Sequence, residues 1–118
     1  MAQVLIVEDH ADMRDIYKTL LERMGHEVHV ARDGVEGLNQ LRSQPDLVIL
    51  DLSMPVASGD IVLGFIRSTP ELKRTKVVVI SALPQAETLA EQLEADACLA
   101  KPVDLADVKK EVERLLAS

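Results

Sequence analysis

Aromatic residues are nearly absent: one Tyr, one Phe and no Trp in 118 residues. Stacking on bases or sugars therefore has little to work with. A single cysteine, Cys98, excludes a disulfide framework and a cysteine-built zinc site. Positive charge is also short, since 13 Lys and Arg stand against 20 Asp and Glu, for a formal net charge of −7. That is the wrong sign for a phosphate backbone, so no direct nucleic-acid contact is expected. No apolar run approaches the ~20 residues of a membrane span, and the first, Val4 to Val7, is too short for a signal-peptide core. The chain therefore reads as cytoplasmic, with no membrane insertion. Neither G-x-x-x-x-G-K-[ST] nor G-x-G-x-x-G occurs, which argues against a nucleotide or flavin cradle.

What remains is ordinary globular composition, 47% hydrophobic and 28% charged. There is no linker, repeat or low-complexity segment. The reading is one domain over 1–118, with no output domain in this chain. Five short apolar runs stand out: Val4–Val7, Val28–Ala31, Leu47–Leu50, Val77–Ile80 and Ala97–Ala100. Most are continuous and β-branched, as in strands buried on both faces of a parallel sheet. The second alternates with Glu27 and His29 and reads as a half-exposed edge strand.

Helical periodicity fills the gaps. Met13, Ile16, Tyr17, Leu20, Leu21 and Met24 share one face, and Gly25 follows as a stop. Asp33 and Glu36 resemble a capping box opening a second helix through Leu38 and Leu41, with Pro45 beyond its end. Ile61, Val62, Phe65 and Ile66 form a third apolar face, and Ala86, Leu89, Ala90 and Leu93 a fourth. Asp104 caps a fifth helix carrying Leu105, Val108, Val112, Leu115 and Leu116. The fold class is α/β: a doubly wound (βα)5 unit, with helices on both faces of a five-stranded parallel sheet.

In such sheets ligands bind beyond the carboxyl ends of the strands. The residues at those positions are Glu8 and Asp9 after the first run, Asp51 after the third, Ser81 after the fourth and Lys101 after the fifth. A strand order of 2-1-3-4-5 makes these four strands contiguous. It leaves the second, which offers only Arg32 and the cap Asp33, at the far edge. At ~4 Å and an effective dielectric near 20, each carboxylate pair costs about 4 kcal/mol of repulsion. Either some stay protonated or a cation sits among them. Hard oxygen donors suit Mg²⁺, with Mn²⁺ possible. His10, beside them in sequence, reads as a surface residue at the start of the first helix. Asp9 or Asp51 taken alone could simply cap the following helix.

These residues, in this order, resemble the response-regulator receiver domain of two-component signalling, the CheY-like, flavodoxin-like family. The resemblance rests on Glu8-Asp9, on the Asp51-x-x-Met54-Pro55-x-x-x-Gly59 segment, on Ser81-Ala82 and on Lys101-Pro102, and it covers essentially the whole chain. It implies that Asp51 is the phosphoacceptor, taking a phosphoryl group from a phosphohistidine on a histidine kinase or histidine phosphotransfer protein. It implies that Asp9, Asp51 and the backbone carbonyl of Ser53 ligate Mg²⁺, with Glu8 acting through water, and that Ser81 and Lys101 hold phosphoryl oxygens. It also implies a cis Lys101-Pro102 peptide and an output surface formed by the fourth helix, fifth strand and fifth helix. There Glu87, Glu91, Cys98, Lys109 and Lys110 would meet a separate output protein or a second copy. Pro55 and Gly59 read as loop punctuation, with Gly59 supplying a conformation other residues avoid.

Two departures bear on the switch. Cys98 stands where the family usually has an aromatic residue, and Val103 where a Phe is common; Cys98 reads as a small buried hydrophobe. Leu83 is expected to keep water from the acyl phosphate. The rival readings are a pseudo-receiver without phosphotransfer and an aspartate-nucleophile phosphatase of the haloacid-dehalogenase type. The latter wants a second Asp where Ser53 stands. The chain is expected not to be a turnover enzyme.

Overall fold

Five strands lie parallel in the order β2-β1-β3-β4-β5. The structure, a computed structural model, describes residues 1–54 and 58–117, so Pro55 lies outside the described residues. In chain order the elements are β1 Gln3–Val7, α1 Ala11–Arg23, β2 Glu27–Ala31, α2 Gly34–Gln40, β3 Leu47–Leu50, α3 Gly59–Ser68, β4 Lys76–Ser81, α4 Ala86–Gln92, β5 Ala97–Ala100 and α5 Leu105–Leu116. Short 3-10 turns at Leu41–Ser43 and Pro70–Leu72 follow α2 and α3. This is the expected (βα)5 architecture and strand order.

Alternation along the central strands sends side chains into two cores. Leu5, Val7, Val48, Leu50, Val77 and Val79 pack with Val62, Leu63 and Ile66 of α3 and Ala86 and Ala90 of α4. Val4, Ile6, Leu47, Ile49, Val78 and Ile80 pack with Tyr17 and Leu21 of α1 and Val108, Val112 and Leu115 of α5. Apolar residues on both faces are therefore what fix this three-layer arrangement. β2 is an edge strand, as its alternation predicts. β5 forms the other edge and is only half-buried, since Ala97–Ala100 lacks the bulk of the central runs.

Several local expectations change in detail. The second helix tightens into a 3-10 turn at Leu41. Its cap is half the expected box: Asp33 accepts from the Glu36 N–H at 2.9 Å, but the Glu36 carboxylate accepts from Arg32, one residue earlier than a box requires. On α3 the buried stripe is Val62, Leu63 and Ile66, while Ile61 and Phe65 are 54% and 44% exposed. The predicted face was rotated, because two adjacent apolar pairs fit the helical period equally well on either side. The stop at Gly25 is a left-handed residue, φ 92°, with the His26 N–H returning to the Leu21 carbonyl at 3.2 Å.

Candidate functional site at the carboxyl edge of the sheet

The central strands end together, and each releases a polar residue at the same edge. β1 runs straight into Glu8, whose N–H still bonds the Ala31 carbonyl at 3.1 Å. β3 runs into Asp51, whose N–H bonds the Val7 carbonyl at 3.1 Å. Sheet hydrogen bonding thus holds both backbones past the last strand residue. Glu8 and Asp51 are 2% and 4% exposed, whereas Asp9 is exposed.

Lys101 joins them from β5. Its Nζ donates to Glu8 Oε1 at 3.1 Å and to Asp51 Oδ2 at 3.2 Å. Its backbone N–H bonds the Ser81 carbonyl at 3.0 Å, and the Lys101-Pro102 peptide is cis, as expected. Burial works against the ammonium, but the charges of Asp51 and Glu8 outweigh it, and the pKa of Lys101 lies above its ordinary value. Burial pushes the Glu8 carboxyl upward, with the His10 N–H pulling it down and the Asp51 charge pushing it up; the net direction is upward. Among the described residues Lys101 is the one cation bonded to these carboxylates, and it bonds Glu8 and Asp51 but not Asp9.

Carboxylate oxygens of Glu8, Asp9 and Asp51 lie within 4.8 Å of one another. The donors are all hard oxygen. The one nearby imidazole is engaged elsewhere: His10 caps α1, its Nδ1 accepting a long 3.5 Å bond from the Met13 N–H. Such a set fits a small divalent cation such as Mg²⁺ or Mn²⁺ and lacks the nitrogen or sulfur that zinc prefers.

Ser53 is exposed, and its N–H donates to Asp51 Oδ1 at 2.9 Å, orienting the carboxylate. Ser81 is 2% exposed at the end of β4, paired in register with Ala100. Its hydroxyl accepts from the Leu83 N–H at 3.1 Å and so is turned toward its own loop, while its carbonyl holds the Lys101 N–H. Leu83 is half-buried against the α3–α4 core. Cys98 is half-buried against the same core, and burial, aided by Glu87, pushes its thiol pKa up. That environment suits a packing residue better than a reactive one.

One contributor escaped the sequence reading. Arg14 Nη1 donates to the carbonyls of Glu8 at 3.0 Å and Asp9 at 3.4 Å, fixing the loop that carries both acids. The available signal was a cation near a helix N-terminus, where the dipole disfavours it.

The Response regulator receiver domain family matches residues 4–113. The chain belongs to that family. It is 36% identical over 119 residues to the sensor histidine kinase TmoS of Ectopseudomonas mendocina, covering 98% of this chain and 12% of that protein. It is 32% identical over 117 residues to the chemotaxis protein CheY-3 of Vibrio cholerae, covering 96% of this chain and 90% of that one. Among solved structures, response regulator TrrA of Thermotoga maritima, in complex with Mg(2+)-BeF, superposes with a TM-score of 0.87 at 32% identity, covering 98% and 99% of the two chains. The chain spans no more than about half the length of several curated relatives. This receiver has the CheY-like fold, and receivers of the family serve two-component signalling. Among the described residues, no helix is long and apolar enough to cross a membrane.

Proposed function

We propose that this receiver accepts a phosphoryl group on Asp51 from a phosphohistidine of a histidine kinase or histidine phosphotransfer protein, and that the phosphorylated state alters partner binding. The carrying observation is the convergence of Lys101 Nζ on Asp51 Oδ2 and Glu8 Oε1 at 3.2 and 3.1 Å, from strands far apart in sequence. Asp51 is held by its own backbone bond to β1 and by the Ser53 N–H, which leaves a fixed carboxylate beside a cation.

In the transfer, an Asp51 carboxylate oxygen attacks phosphorus. The P–N bond to the imidazole breaks, a P–O bond forms, and the imidazole nitrogen leaves with the electron pair. The loose transition state places charge on the equatorial oxygens, so the protein's task is positioning and neutralisation. Lys101 serves by leaving Glu8 for a phosphoryl oxygen. Ser81 serves by turning its hydroxyl from Leu83 to another. Asp9, Asp51 and the Ser53 carbonyl would hold Mg²⁺, or Mn²⁺ in its place, with Glu8 acting through water. Bound there, the ion supplies two positive charges against the phosphoryl oxygens. The solved Mg(2+)-BeF complex of TrrA supports this metal assignment by similarity.

The output face on this reading comprises α4, β5 and α5, where Glu87, Glu91, Lys109 and Lys110 are exposed and Cys98 is half-buried. It would meet a separate output protein or a second copy, in the cytoplasm. The domain acts as a switch on this reading and turns over no substrate. The test is phosphate incorporation from acetyl phosphate with Mg²⁺. Wild type is expected to incorporate one phosphoryl group and Asp51→Asn none; equal uptake by the two would overturn the assignment.

A further inference from the structure

Among the described residues, one buried side-chain heteroatom has no hydrogen-bond partner: the hydroxyl oxygen of Tyr17. Tyr17 is 1% exposed, on the inward face of α1, in a layer with Ile6, Ile80 and Val108. An aliphatic residue would fill such a layer without cost, whereas an orphaned buried O–H is destabilising. Its position gives it something to do. α1 starts at the carboxyl edge of the sheet, directly after Glu8 and Asp9, and runs back along the strands. Helical side chains lean toward the helix N-terminus, which directs the phenol up toward the acidic edge. Burial pushes its pKa up to about 12, with Lys101 pulling it down and Glu8 and Asp51 pushing it up, so these three charges all act on it. It therefore remains an O–H donor at any working pH.

Among the described residues Glu8 has two hydrogen-bond donors: the His10 N–H on Oε2 at 3.1 Å and Lys101 on Oε1 at 3.1 Å. When Lys101 leaves for a phosphoryl oxygen, Oε1 loses its one side-chain donor and, with two lone pairs, has room for a protein O–H beside any water. Tyr17, on the helix that follows Glu8, is a buried donor lacking an acceptor. We infer that Tyr17 is a positioning residue whose O–H takes over Glu8 Oε1, directly or through one water, when Lys101 turns to phosphorylated Asp51. The phosphorylated arrangement then gives the Tyr17 hydroxyl the acceptor it lacks and returns a side-chain donor to Glu8. The inference rests on the reading of Asp51 as phosphoacceptor.

Tyr17 is the only tyrosine and the chain has no Trp, so near-ultraviolet absorption and fluorescence report this side chain. Acetyl phosphate and Mg²⁺ are added while phosphate incorporation is followed in parallel. Donation to a carboxylate is expected to shift the tyrosine band to the red and quench its fluorescence in wild type, with no change in Asp51→Asn. Tyr17→Phe is expected to keep or raise the urea midpoint of the unphosphorylated protein, because no bond is lost there. The same variant raises the half-saturating acetyl phosphate concentration about tenfold, on the scale of one hydrogen bond to a charged group. Full phosphate incorporation with an unchanged tyrosine spectrum overturns the role of Tyr17 and leaves Asp51 as acceptor. No incorporation by wild type overturns both.

Discussion

Gly59 shows how a single residue can matter through the atoms it lacks. A Cβ there would lie 2.1 Å from the Asp51 carbonyl oxygen and 2.5 Å from Leu52 Cα, distances no real contact reaches. Its φ is not in the left-handed region, so the glycine is required for close approach and not for the unusual conformation its loop setting suggests. Its N–H also bonds the Leu52 carbonyl at 3.2 Å, which seats the start of α3 directly on the backbone that presents Asp51. Gly59→Ala must push that backbone aside. The expected result is a loss of about 2–3 kcal/mol in urea unfolding, the upper range for overpacking. It should come with much weaker phosphate incorporation from acetyl phosphate, because Asp51 moves away from Lys101. An Ala variant with wild-type stability and uptake would show that the contact relaxes freely.

At the scale of elements, the ends of α1 and α4 use the same device with different residues. After α4, Glu94 adopts φ 62°, its N–H bonding the Glu91 carbonyl at 3.1 Å while the Ala95 N–H reaches the Ala90 carbonyl at 2.8 Å. After α1, Gly25 takes the equivalent place. A side chain in the left-handed region costs about 1 kcal/mol, which glycine avoids. Glu94→Gly is therefore expected to stabilise the fold by about 0.5–1 kcal/mol, and Gly25→Ala to destabilise it by a similar amount, both read from urea midpoints. A Glu94→Gly variant of lower stability would mean that the Glu94 side chain has an unrecognised role. The contrast also shows what was legible in the sequence. Gly25 announced its turn, whereas nothing in Glu94 did, because its conformation is imposed by the packing of α4 against β5. The strands were legible because four apolar residues in a row have few other uses. The buried stripe of α3 was not, since only tertiary contact decides between Phe65 and Leu63. Glu8, Asp51 and Lys101 could be found by their place after apolar runs. Arg14 acts through backbone carbonyls, and Tyr17 looks like any other core residue.

For the molecule as a whole, the deciding balance is charge at one edge of an acidic domain. Glu8 is buried beside Asp51 and Asp9 with one ammonium among them, and its pKa lies above the ordinary 4.5. The folded state therefore holds the Glu8 proton to higher pH than the unfolded chain does. Between the two pKa values folding takes up protons, so the stability linked to Glu8 is fully present below about pH 4.5 and is lost as the pH rises through the folded pKa. In chelator-treated buffer, Glu8→Gln removes this titration. The gap in urea midpoint between variant and wild type is expected to widen in favour of the variant as the pH rises from about 5 to about 8. Magnesium should reverse the order. An ion that binds only the folded state adds RT ln(1 + [L]/Kd), ~1.4 kcal/mol at ten times Kd, and the wild type, with all three carboxylates, should gain more of it than Glu8→Gln. Parallel midpoint curves for the two proteins across that range, with and without the ion, would mean that the Glu8 carboxylate is already neutralised by Lys101 and that the edge has no charge left for a cation to answer.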